Sequence, residues 1–208
     1  MPSIWNETKL KSFDKLNGDM QCDALVIGGG MAGLLTAYRL NEQNLKTVVI
    51  DSSAICFGQT KNTTAKITSQ HSAIYESITK HYSPQYAKMY AEENERAISD
   101  FEEIINEKKI DCEFEKCCAY LYSKNNYRAL KDEMLSAKNA GIDCYLTKEV
   151  PLPFKTAGAL VFKNQAQFNP LKFINSIVGD LTVFENTPAL KILYICGKSS
   201  TIFPRRRP

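Results

Sequence analysis

Residues 23–40, DALVIGGGMAGLLTAYRL, place three consecutive glycines between a short apolar run and a stretch with helical spacing. Side-chain-free residues at such a junction let the backbone turn sharply and let another group press against it. Residues 23–27 read as a buried parallel strand. From Met31, the positions Leu34, Leu35, Ala37, Tyr38 and Leu40 recur at helical intervals, and residues 47–50 form a second, β-branched strand closed by Asp51. Strand, turn, helix and strand make one βαβ unit.

Gly28, Gly30 and Gly33 satisfy G-x-G-x-x-G in the context that gives the pattern its meaning: after a strand, opening a helix, with an acid ending the next strand. Gly28 permits the tight turn, Gly30 lets the backbone approach a pyrophosphate, and Gly33 lets the helix lie close to the strand. The helix start adds unpaired N–H groups and the positive end of its dipole, which favour a diphosphate. Asp51 is placed for a ribose hydroxyl, and its charge disfavours a 2′-phosphate and so NADP. The competing structural explanation is that the glycines only pack a helix on a sheet and Asp51 is a solvated turn residue. The motif does not separate NAD from FAD. A nicotinamide dehydrogenase would continue from Asp51 through another helix to a third parallel strand, whereas here a polar loop follows. Its residues 60–71, TKNTTAKITSQH, offer hydroxyls, amides and backbone N–H groups to a long, extended cofactor, or form an ordinary solvated loop.

Further along, Ser83 and Pro84 read as a cap and first residue of a helix over 84–109. Strand-like pieces follow at 111–123, then a helix over 126–140 stopped by Gly141. Strands are expected at 142–146, 158–162 and 166–168, a helix from Asn169–Pro170 through about 178, and a strand at 181–186. The first twenty residues lack a period and are expected along the surface, with Trp5 as a pin.

The 208 residues are 44% hydrophobic, enough for a sizeable core. The net charge of +3 equals the contribution of Arg205, Arg206 and Arg207, so the remainder is balanced and nothing points to nucleic acid or a membrane surface. Residues 24–38, the most apolar stretch, are too short to span a bilayer. Seven cysteines without C-x-x-C spacing and only two histidines argue against a metal site and for reduced thiols in the cytoplasm; no secretory signal opens the chain.

The series PSIW, DALVIGGGMAGLLTAYRL, TTAKITSQH, CAYLY and NQAQFNPLKF, in that order, resembles the N-terminal half of FAD-dependent oxidoreductases of the D-amino-acid oxidase and glycine oxidase superfamily. The resemblance extends to about Leu190 and is strongest to the bacterial branch related to gamma-glutamylputrescine oxidoreductase, some members of which carry a C-terminal Rieske domain. It implies an α/β fold: a Rossmann-like FAD-binding domain from residues 1–109 and 164–208, with a partial antiparallel substrate domain over 110–163. FAD would be the cofactor. Gly28, Gly30, Met31, Ala32 and Gly33 would meet the diphosphate and Asp51 the adenosine ribose, where the family more often has glutamate. Thr63, Thr64, Ala65, Lys66 and Ile67 would run near the pyrophosphate and flavin end, and Thr187 to Ala189 near the adenine. Lys61 stands where a glycine is often found.

Enzymes of this type move hydride from the carbon beside an amine nitrogen to flavin N5, and the imine then hydrolyses. The implied substrate is a small amine or amino acid. No nucleophile pair or carboxylate dyad is present, none is required, and no catalytic residue is assigned. His71 reads as a loop histidine, with a flavin contact or covalent attachment as alternatives; Cys117 and Cys118 read as small hydrophobes of a strand rather than a redox pair. The chain is about half the length the resemblance implies, and KILYICGKSSTIFPRRRP departs from the family pattern from about residue 191. Truncation is therefore expected, with weak or no FAD binding and no turnover by this chain alone. An NAD-dependent dehydrogenase and a non-catalytic nucleotide-binding remnant remain as alternatives.

Overall fold

The computed structural model describes residues 4–195 and 198–202. In chain order its strands and helices are β1 (Ala24–Ile27), α1 (Met31–Glu42), β2 (Thr47–Ile50), β3 (Lys66–Ile67), α2 (Ile74–His81), α3 (Pro84–Glu107), β4 (Glu115–Ser123), α4 (Tyr127–Asn139), β5 (Cys144–Thr147), β6 (Gly158–Gln167), α5 (Pro170–Ile177), β7 (Thr182–Phe184), β8 (Lys191–Ile195) and β9 (Lys198–Ile202). The chain divides into two compact units, one formed by residues up to Thr64 with those from Asn169 onward, the other by Ala65–Phe168.

The first unit holds a parallel sheet in the order β1-β2-β7, with Val26 opposite Val49 and Val49 opposite Val183. Helix α1 packs on β1 and β2 and touches α5. All four residues of β2 are buried, and Leu34, Ala37, Phe173, Ile174 and Ile177 are fully buried with it. The apolar strand β1 is only half-buried and Ile27 is 53% exposed, because among the described residues β1 pairs with β2 alone. After β2 the chain does not enter a helix and a third parallel strand; that strand is β7, reached about 130 residues later. Trp5 does pin the N-terminal segment, its indole N–H donating to Thr63 O at 2.9 Å. Strands β8 and β9 form a separate antiparallel pair.

The second unit is an antiparallel sheet in which β6 pairs with β4 along one edge and with β5 and β3 along the other. Helices α2, α3 and α4 pack on one another, and α4 also lies on the sheet; Tyr75, Leu130, Ala137, Leu160 and Phe162 form the core. The compact units divide at 64/65 and 168/169, with α2 and α3 packed beside α4 in the second unit. The strands expected at 158–162 and 166–168 are one strand. Among the described residues no helix is long and apolar enough to cross a membrane.

Candidate dinucleotide site

Three of the four glycines in the turn are required by the chain's own packing. Gly28 has φ +109° and donates its N–H to Ile50 O at 2.8 Å. A Cβ on Gly33 would stand 1.9 Å from Gly28 O, and one on Gly29 would stand 2.6 Å from Ile55 Cγ2. Gly30 differs: its backbone is extended (φ −84°, ψ −179°), and the nearest neighbour of an added Cβ is Thr60 Oγ1 at 3.5 Å, an ordinary contact. Nothing inside the protein therefore demands glycine at position 30.

Above this turn lies a hollow of about 460 Å³, lined by Gly28, Gly30, Met31, Ala32, Gly33 and Asp51 together with residues of the loop from Ser53 to Thr60. Asp51 is tied into its wall. One carboxylate oxygen accepts the Gly29 N–H at 2.7 Å and the other accepts the N–H and hydroxyl of Ser53 at 2.8 and 3.1 Å. The Met31 N–H, first of the helix, donates to Thr60 Oγ1 at 3.1 Å. Among the described residues no acceptor faces the N–H groups of Ala32 and Gly33, which remain as the donors of the first turn. Cys56, in the same wall, has φ +56°, and burial pushes its thiol up to about 11, so it is a neutral thiol.

A buried carboxylate holds this loop from behind. Glu185 accepts from the Ile55 N–H at 2.8 Å and from the Phe13 N–H at 3.1 Å. Thr187 is 1% exposed; its hydroxyl accepts from Leu16 N–H and donates to Glu185 O, and its own N–H donates to Asp51 O. The hydroxyl of Thr187 is thus spent inside the protein, and neither it nor Ala189 lines the hollow.

The segment Thr63 to Ile67 is divided between the units. Thr63 and Thr64 are exposed residues of the first unit. Ala65, buried at φ +59°, accepts from the Phe168 N–H, and Lys66 and Ile67 form β3 against Gln167 and Ala166 in the second. His71 also belongs to the second unit, where its Nδ1 lies 2.6 Å from Tyr90 Oη; partial burial, and then the Lys66 charge, hold its pKa below 6.5. Cys117 is half-buried and Cys118 exposed, and burial raises the Cys117 pKa, which favours the thiol over a reactive thiolate. Sequence reasoning missed Ser53, and placed Thr60 only among the hydroxyls of the 60–71 loop, without its contact to Met31. Their roles depend on contacts across the turn, and a hydroxyl in a Ser/Thr-rich loop carries no signal of which partner it meets.

A parallel crossover with a glycine turn, a helix start and a carboxylate around one hollow defines the class: an α/β protein with a Rossmann-like nucleotide crossover. The chain belongs to the FAD dependent oxidoreductase family, whose model matches residues 23–201. It is 38% identical over 192 residues to a putative Rieske 2Fe-2S iron-sulfur protein of Bacillus subtilis, covering 89% of this chain and 38% of that protein. It is 31% identical over 106 residues to the gamma-glutamylputrescine oxidoreductase of Escherichia coli, covering 51% of this chain and 25% of that one. Among solved structures, the L-amino acid deaminase of Proteus myxofaciens shares the fold with a TM-score of 0.70 at 13% identity, over 94% of this chain and 46% of the other. The chain therefore spans less than half the length of these relatives.

The family's cofactor fits the residues present. An extended Gly30 with room for a Cβ, two first-turn amides without acceptors and a hollow between them are what a diphosphate on a helix start needs.

Proposed function

We propose that the first unit seats the adenine dinucleotide end of FAD, that the second unit is part of a substrate domain, and that the whole protein oxidises a small amine or amino acid. The single observation that carries this is Gly30, a glycine which the chain's own packing does not require and which lies in the wall of the hollow. The relatives named for an amine substrate and for amino-acid deamination support the substrate class.

In this reading the amides of Ala32 and Gly33 hold the diphosphate, with Gly28 shaping the turn and Met31 bordering it. Asp51 does two things: it fixes the Gly29 peptide and turns its remaining lone pairs toward the ribose. Thr63 and Thr64, with Ala65, Lys66 and Ile67, run toward the flavin end, and Ala189 lies toward the adenine. When bound, FAD supplies an acceptor for a hydride and its electron pair. Hydride transfer to a flavin requires no protein nucleophile, so in this reading the work of the chain's residues is binding and exclusion of water. The six described cysteines are all free thiols, in keeping with a cytoplasmic location.

Titration of FAD into the chain, followed by flavin fluorescence, tests the proposal with Gly30→Ala as the probe. The added methyl is expected to lower affinity at least about tenfold, by displacing the diphosphate from the amides, while leaving the urea midpoint unchanged. Equal affinity of the two proteins would refute it. In a protein extended to the length of its relatives, bleaching of bound flavin by an amine or amino acid under anaerobic conditions separates an oxidoreductase from a nucleotide-binding remnant.

A further inference from the structure

Among the described residues the hollow carries a negative charge of its own and no positive one. Asp51 lines it, and none of its lining side chains is cationic. A diphosphate entering it brings further negative charge, against which the helix start offers the equivalent of about half a positive charge. Thr60 already occupies the first amide of that helix.

The residue that follows Thr60, the last of the lining residues in the chain, is a cation, Lys61. Its ammonium lies 3.8 Å from the centroid of the Phe57 ring, and Phe57, 61% exposed, is itself part of the wall. The backbone of Lys61 is tied to the lining residue Cys56 and adjoins the lining residue Thr60. Its N–H donates to Cys56 O at 3.3 Å, and its neighbour Thr60 is the residue bound to the helix start. Among the described residues Lys61 forms no ion pair. An ammonium resting on an exposed ring is held weakly and carries its charge free for a stronger partner.

We propose that Lys61 is the cation of the diphosphate subsite, resting on Phe57 and turning by a change of side-chain rotamer to face the phosphates. This deepens the dinucleotide function proposed above and rests on it. Lys61 would act on nucleotides through their phosphates and on nucleosides not at all. It would offset the Asp51 charge that otherwise opposes phosphate entry.

The test uses ADP and adenosine as probes, titrated by calorimetry or amide chemical shifts into the wild-type chain, Lys61→Met and Lys61→Arg. The Met variant keeps the stem over Phe57 and removes only the charge. Loss of one charge-assisted contact at a partly exposed site is expected to weaken ADP about tenfold. The Arg variant should restore most of that loss, and adenosine should bind all three proteins alike. Added salt should weaken ADP binding more in the wild type than in the Met variant. Equal ADP affinity of the wild type and Lys61→Met would overturn the assignment, as would parallel loss of ADP and adenosine. Wild-type protein that binds adenosine and ADP at no concentration would overturn the dinucleotide function itself.

Discussion

Replacing Gly33 by alanine puts a methyl carbon 1.9 Å from the Gly28 carbonyl oxygen, where unstrained carbon–oxygen contacts lie at about 3.3–3.6 Å. Both partners are main chain, so no side chain can swing aside, and α1 must retreat from β1 by more than an ångström. Over-packing of this kind costs about 1–3 kcal/mol; with backbone on both sides the upper end applies, about 3 kcal/mol. For a chain of this size that lowers Tm by about 6–12 °C. Gly30→Ala is the internal control: its Cβ meets nothing closer than 3.5 Å, so the stability change should stay within about 0.5 kcal/mol. The assay is urea unfolding followed by tryptophan fluorescence. The single tryptophan, Trp5, belongs to the first unit and reports its unfolding separately from that of the second. If Gly33→Ala unfolds at the wild-type midpoint, the close approach of helix and turn is wrong.

Glu133, fully buried on α4, accepts the N–H groups of Tyr75 and Glu76 at 3.0 and 2.8 Å and so caps α2 from outside; Glu133→Gln should cost about 1–3 kcal/mol, seen by urea unfolding with far-UV circular dichroism. Burial, outweighing those two amides, raises its pKa above 4.5, so the folded state holds this proton more tightly than the unfolded chain. Its contribution is therefore fully present below pH 4.5 and is lost as pH rises through the raised value. The stability advantage of the wild type over Glu133→Gln should shrink across that window, and an advantage that grows with pH would contradict the assignment.

The crossover at residues 24–50 was legible because its determinants are local: apolar runs, glycines and a closing acid lie within thirty residues, and β2 falls where the β-branched run predicts. Caps carried by adjacent residues were equally readable. Ser83 accepts from the Tyr86 N–H, and Asn169 from Leu171 and Lys172. Helix α2 escaped sequence reading because its own cap position, Ala73, carries no capping side chain, and the group that caps it, Glu133, lies 58 residues beyond the Tyr75 N–H it accepts. The polar Lys163–Asn164 pair made β6 look like two strands; Asn164 at φ +59° absorbs an irregularity opposite Cys117 and Ala119, and the strand continues past it. The site divides the same way. Motif glycines and Asp51 are visible in sequence, but that Asp51 grips the Gly29 peptide, that Thr60 covers the Met31 amide and that Thr187 is consumed inside are decided by folding.

Backbone amide shifts of the ¹⁵N-labelled chain titrated with FAD test most directly whether a diphosphate sits on the glycine turn. The largest displacements should fall on Gly30, Ala32 and Gly33, with Gly29 following through Asp51. Saturable binding that leaves those amides unmoved and shifts residues elsewhere would contradict the account.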